Sequence, residues 1–221
     1  MIDTQKNLPV RGGFQWIGYL ILAGLLLFLF SLITPAISSC RERARRIQCL
    51  NCLRQIGLGV KAYAADHQNL FPEGGAGTVS VHFRLLSNYV GNAGQIFKCP
   101  TDHDKTLTNR VDSIEDWNIS YCYVRGLNDS APIDTPVAFD RGLAGTAADG
   151  YPLASFANQR WSGSHTRHSE DYNRWLWFFP VGFFENVAPE GGNILFAGAH
   201  VTFNSSFPRG VNWNTNVVEV P

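Results

Sequence analysis

The stretch whose reading decides the fold is Ile17-Gly-Tyr-Leu-Ile-Leu-Ala-Gly-Leu-Leu-Leu-Phe-Leu-Phe-Ser-Leu-Ile33, set inside a longer run, Gly12 to Ser39, that carries no charged residue. A helix that is apolar on every side has no face to show to water, so it needs lipid or other apolar helices around it. As a helix, Phe14 to Ile37 measures ~36 Å at 1.5 Å per residue, enough for a hydrocarbon core of ~30 Å. A buried core helix would be shorter and striped. A cleaved secretory signal has an apolar stretch of about 7–15 residues and a small-residue cleavage site, and this run is longer. The sequence therefore predicts a membrane-spanning helix over residues 14–37.

Working outward, the run Arg41-Glu-Arg-Ala-Arg-Arg46 follows the apolar segment, while only Asp3, Lys6 and Arg11 precede it. The positive-inside rule applied to these flanks places the larger, C-terminal part in the cytoplasm. Beyond the basic run, Ile47, Leu50, Leu53, Ile56, Val60 and Tyr63 fall near i, i+3, i+4 and i+7 spacing, which predicts an amphipathic helix as far as the turn cluster Asn69-Leu-Phe-Pro-Glu-Gly-Gly-Ala-Gly77. Span and stalk read as one helix, with a bend or local unwinding expected at Pro35 and weak points at Gly57 and Gly59.

Past Gly77 the periodicity breaks into short apolar runs between Gly, Pro, Asn and Asp. Residues 79–90 read as a strand or a short helix, and Ser120–Val124 and Thr135–Phe139 as strands. Asn193–Phe196 and His200–Val201-Thr-Phe203 read as a hairpin across Ala197-Gly-Ala199. The chain has 221 residues, 45% hydrophobic and 16% charged with zero formal net charge, so it has matter for a core and no cationic face for nucleic acid.

Several of these residues carry a resemblance. Gly13-Phe14-Gln-Trp-Ile17-Gly18, the apolar helix with Pro35, Arg45-Arg-Ile-Gln-Cys49-Leu-Asn-Cys-Leu53 and Tyr63-Ala-Ala-Asp66 resemble the type IV pilin-like pseudopilins. More narrowly they resemble a large bacterial family of pilin-like proteins with a processed N-terminus and a C-terminal signature of His, nine residues, then Asp-Gly. Ile96-Phe-Lys-Cys99-Pro100, Ser120-Tyr-Cys-Tyr123 and Gly191-Gly-Asn-Ile-Leu-Phe196 extend the likeness over nearly the whole chain.

The resemblance implies a prepilin-type leader (residues 1–13) cut between Gly13 and Phe14 by a prepilin peptidase, with the new Phe14 amine methylated. It implies an α+β fold in which the membrane-spanning helix (14–37) continues into an amphipathic stalk (38–68) packed on a small antiparallel β-sheet head (69–221). The protein is then a single-pass inner-membrane protein in contact with membrane lipid, its N-terminus cytoplasmic and its head periplasmic, opposite to the charge rule. Its role is structural rather than enzymatic: a subunit or accessory of a type II secretion or type IV pilus-like apparatus, with other pseudopilin subunits and inner-membrane secretion components as partners. Phe14, Ile17, Gly18 and Pro35 lie on the assembly helix. Relatives carry an acidic residue where this chain has Gly18, and the C-terminal Asp-Gly here reads Gly198-Ala199, with Ala188 or Pro189 in place of the His. The missing carboxylate favours a minor or initiating subunit. It is also the best argument for the alternative, a non-polymerising membrane-anchored periplasmic binding module.

Five cysteines leave one odd thiol. Cys49-Leu-Asn-Cys52 has the CxxC spacing of redox pairs and half zinc sites, but it lies mid-helix rather than at a helix N-terminus. The simpler reading is that Cys49 packs or forms a disulfide with Cys99 or Cys122 in an oxidising compartment. His165, His168 and Asp171 have metal-ligand spacing without the apolar periodicity to hold a helix, and read as a solvated loop. Asp102, Asp104, Asp112, Glu115 and Asp116 are candidate oxygen ligands for calcium without EF-hand spacing, and no other cofactor is implied. The aromatic stretch Asn173-Arg-Trp-Leu-Trp177-Phe-Phe-Pro180-Val-Gly-Phe-Phe184 is too short and too proline-broken to cross a membrane and reads as core.

Overall fold

A computed structural model describes residues 12–75, 77–102, 104–141, 151–156, 161, 191–208 and 217–220. The chain divides into two compact units, Met1–Arg41 and Glu42–Pro221. Helix α1 (Gly12–Asp66) contributes residues to both and carries Pro35 without interruption, where local unwinding was expected. In the first unit, every described side chain from residue 16 to 30 is exposed. Trp16 (73%), Leu20 (72%), Leu27 (73%) and Phe30 (74%) are as open as side chains on an isolated helix.

In the second unit, α1 buries Cys49, Leu53, Ile56, Val60 and Ala64, which recur at steps of three and four and line one face. Ile47, assigned to that face by periodicity, is exposed, and Cys49 takes the inner position instead. The helix stops after Asp66 because Gln68 and Asn69 both turn left-handed, at φ 54° and 63°. The Asn69 N–H then reaches the Ala64 carbonyl at 2.9 Å, satisfying an orphan acceptor of the last turn. Tyr63 stacks on His67 at 3.8 Å, and a His67 ring nitrogen lies 2.9 Å from the Tyr63 carbonyl.

A short helix, α2 (Val79–Arg84), follows the loop. Among the described residues, six strands then form one antiparallel sheet: β1 (Tyr121–Arg125), β2 (Pro136–Asp140), β3 (Tyr151–Pro152), β4 (Gly192–Phe196), β5 (Val201–Asn204) and β6 (Val217–Glu219), in the order β3-β6-β1-β2-β4-β5. Because side chains alternate across a strand, register defines two faces. Tyr121 pairs with Asp140, Tyr123 with Ala138 and with Glu219, and Leu195 with Ala138, so these share a face. That face meets α1: a Cβ on Gly57 would stand 2.5 Å from Leu195 Cδ1, so the bare glycine backbone is what lets helix and β4 approach. The opposite face carries Cys122 and Phe139, and Phe139 packs on Phe156 and Phe207 at 5.9 and 4.8 Å. With both faces covered, the central strands are buried at consecutive positions rather than alternately.

The hairpin of β4 and β5 has Asn193 opposite Phe203 and Leu195 opposite Val201. Its turn places Ala199 at φ 59°, a conformation costly for a residue with a Cβ. β3 and β6 have no counterpart among the expected strands.

One expectation requires correction. No helix among the described residues is long and apolar enough to cross a membrane. The fold expected with a membrane-spanning helix over 14–37 is therefore corrected, and with it the single-pass inner-membrane placement with a cytoplasmic N-terminus and a periplasmic head. Residues 1–11 of the expected leader lie outside the described residues, as do His165, His168, Asp171, the stretch 173–184, Ala188 and Pro189.

Candidate functional site

Two features of the described residues stand out chemically. The first is the exposed part of α1 in the first unit. Ile17 is 53% exposed, and nothing lies within 4 Å of where a Cβ would stand on Gly18 or Gly24. Gly13, Phe14 and Pro35 are helical residues of the same element. The surface offers apolar contact all round the helix, with two bare-backbone positions a neighbouring helix can approach closely.

The second is a buried polar cluster within the second unit, between α1 and the sheet. α1 supplies Cys49; the loop after the 3-10 turn Gly94–Phe97 supplies Cys99; β1 and β2 supply the cross-strand neighbours Tyr121 and Asp140. All four are almost fully inaccessible. Cys49 Sγ lies 3.3 Å from the Tyr121 hydroxyl and donates to Asp140 Oδ1 at 3.4 Å. The Asn193 backbone N–H (2.7 Å) and side-chain amide (3.0 Å) both donate to Asp140 Oδ2. Cys99 Sγ sits 2.8 Å from the Thr101 hydroxyl.

Burial and neighbouring charge keep the protons on Cys49 and Cys52. Burial, then a hydrogen bond with Cys99, then the charge of Asp140 push the Cys49 thiol well up. Burial, followed by the charge of Cys99, pushes Cys52 up to about 11. Burial and the surrounding thiols and carboxylate raise the Tyr121 hydroxyl in the same way. Such thiols are poor nucleophiles, so this CxxC lacks the activated thiolate of a redox pair. The ligand atoms of Cys49, Cys99 and Asp140 all lie within 4.8 Å of one another, and they are the residues placed to hold a metal among those described.

The structure thus brings Cys49 together with Cys99, while strand alternation puts Cys122 on the far face of β1 from Tyr121. The five acidic residues considered for calcium are engaged by protein groups rather than converging on one point. Asp102 and Asp104 are both engaged by Arg141, Asp112 by Arg110 and Asn92, and Asp116 accepts from the Ser80 N–H, while Glu115 belongs to the cap of the 3-10 turn Asp116–Asn118. An open pocket of about 350 Å³ lies at the C-terminal end of α1, among Tyr63, His67, Phe71, Glu73 and Leu127.

Against this geometry the chain can be compared with known families. Residues 38–90 match the model of a family described as a protein of unknown function (DUF1559). The DUF1559 match covers the second part of α1, the loop after it and α2, and so includes Cys49 and Cys52 but neither Cys99 nor Asp140. No curated protein and no solved structure matches the chain.

Sequence reasoning missed Tyr121 and Asp140 as members of the cluster. A signal was present: Asp140 ends an otherwise apolar strand, and an acid at such a position is either a strand terminus in water or a buried group with partners. Only the register, which sets Asp140 opposite Tyr121 and facing α1, decides between them.

Proposed function

We propose that this protein is a pseudopilin-like structural subunit of a type II secretion or type IV pilus-like apparatus, joined to like subunits through the N-terminal part of α1. The observation that carries the reading is the run of residues 16–30, exposed on all sides of the helix and free of charge. Soluble monomers rarely leave a contiguous apolar surface of this size open, so it calls for a cover. Since no described helix is long and apolar enough to cross a membrane, the cover we assign is the same segment of neighbouring copies. The DUF1559 match over residues 38–90 and the antiparallel sheet laid on the second part of α1 are consistent with a head carried by a helix. Gly18, lacking the carboxylate that relatives use to pair with a neighbour's amine, favours a minor or initiating position.

The test is made on the full chain in its native cells. Single cysteines placed along Leu20 to Phe30 should cross-link copy to copy, and intact-mass analysis should show a chain starting at a methylated Phe14. A chain that keeps Met1 and yields no cross-linked dimers would overturn the proposal.

A further inference from the structure

We infer that Cys49, Cys99 and Asp140 form a buried site for a zinc-class divalent metal that clamps α1 to the sheet. Two sulfurs and one carboxylate oxygen within 4.8 Å of one another form a donor set of the size such an ion takes. Tetrahedral zinc, at about 2.3 Å from sulfur and about 2.0 Å from oxygen, separates its ligands by roughly 3.3–3.8 Å, so modest side-chain rotations close the site. Sulfur donors select zinc over calcium or magnesium.

The surroundings resemble a supporting shell. Asn193 holds Asp140 Oδ2 with two donors and turns Oδ1 towards Cys49 Sγ, fixing the carboxylate as an outer shell fixes a ligand. Cys52, one helical turn on from Cys49 and half-buried, lies outside this group of three ligand atoms. Near-complete burial of all three donors shuts substrate out and marks the site as structural. The donors come from α1, the loop after Phe97 and the end of β2, so a single ion ties together three segments remote in sequence. On binding, the thiol protons of Cys49 and Cys99 leave to solvent, both sulfurs bind as thiolates, and no electron moves.

The experiment uses the full chain purified under reducing conditions, loaded with zinc or with cobalt(II) as a spectroscopic probe, and desalted. Elemental analysis should return about one zinc per chain, and cobalt(II) should give the visible band of tetrahedral coordination with a thiolate charge-transfer band in the near ultraviolet. Cys49→Ser and Cys99→Ser should abolish retention, and Asn193→Ala should weaken affinity about 10–100-fold. Cys122→Ser, on the opposite face of β1, should bind as the parent does. The cobalt spectrum of the unsubstituted chain decides the matter even if a variant fails to fold. Absence of retained metal and of the cobalt bands, retention unchanged in Cys49→Ser and Cys99→Ser, or a Cys49–Cys99 disulfide in protein from native cells would each overturn the assignment.

Discussion

His82 Nε2 lies 2.6 Å from Glu219 Oε2, and both side chains are buried, so α2 is fastened to β6 through the interior. The Gly74 N–H donates to the other ring nitrogen, Nδ1, at 3.1 Å. Nδ1 is therefore the acceptor, and the proton sits on Nε2, where it is donated to the carboxylate. Glu219 Oε1 receives the Gly77 N–H at 3.2 Å and lies 3.5 Å from Arg125 Nε.

Removing the imidazole leaves a buried carboxylate one donor short. His82→Ala should lower stability by about 2–3 kcal/mol, the scale of a buried hydrogen bond to a charged group. Urea unfolding of the two chains checks this. A shift within error would mean that Arg125 and Gly77 alone satisfy Glu219.

The pair of Asp102 and Arg141 makes a second internal link, with two hydrogen bonds of 2.5 Å from the guanidinium to the carboxylate. Burial alone would raise the Asp102 carboxyl, but the hydrogen bonds and charge of Arg141 override it and hold it below its ordinary value. A carboxyl depressed in the folded state adds stability above its unfolded value, near 3.9, and loses it as pH falls through the lower folded value. Arg141→Ala should therefore cost about 3 kcal/mol at neutral pH, with the difference from the parent shrinking on acidification. Unfolding titrations at several pH values read both.

At the β4–β5 turn, Ala199 holds φ 59°, where its Cβ crowds the backbone. Ala199→Gly should stabilise the protein by about 0.5–1 kcal/mol, the relief exceeding the added freedom of the unfolded chain. For a chain of this size that is roughly 1–4 °C in Tm, readable by calorimetry.

If the exposed part of α1 is an assembly surface, charge placed on it should keep copies apart. Leu26→Glu should reduce cross-linked species at least tenfold in native cells while the circular dichroism of the purified chain stays unchanged, because Leu26 is 57% exposed. Undiminished cross-linking would locate the contact elsewhere.

These predictions rest on features the residue string reveals to different degrees. The stretches 120–124 and 135–139 and the β4–β5 hairpin stood out because short apolar runs were bounded by turn residues. The two-residue β3 and three-residue β6 are too short to give any periodicity, and their place in the sheet depends on pairing partners far away. In the second part of α1, Leu53, Ile56 and Val60 follow the helical repeat into the core. Cys49 continues the same repeat four residues before Leu53, but its polar partners Tyr121 and Asp140 are distant in sequence and were not legible there. The membrane span was expected from the uncharged run alone, and no helix among the described residues is long and apolar enough to cross a membrane.

The insertion of β6 between β1 and β3 has a temporal consequence. Tyr123–Arg125 of β1 are translated nearly a hundred residues before Val217–Glu219, their antiparallel mates. Until those mates emerge from the ribosome, one flank of β1 stays unpaired and His82 has no carboxylate to meet. Closure must then await contacts of wide sequence separation, which form slowly. The nascent chain spends that interval with a sticky β-edge on show, and a chaperone or a clumping neighbour would find it there first.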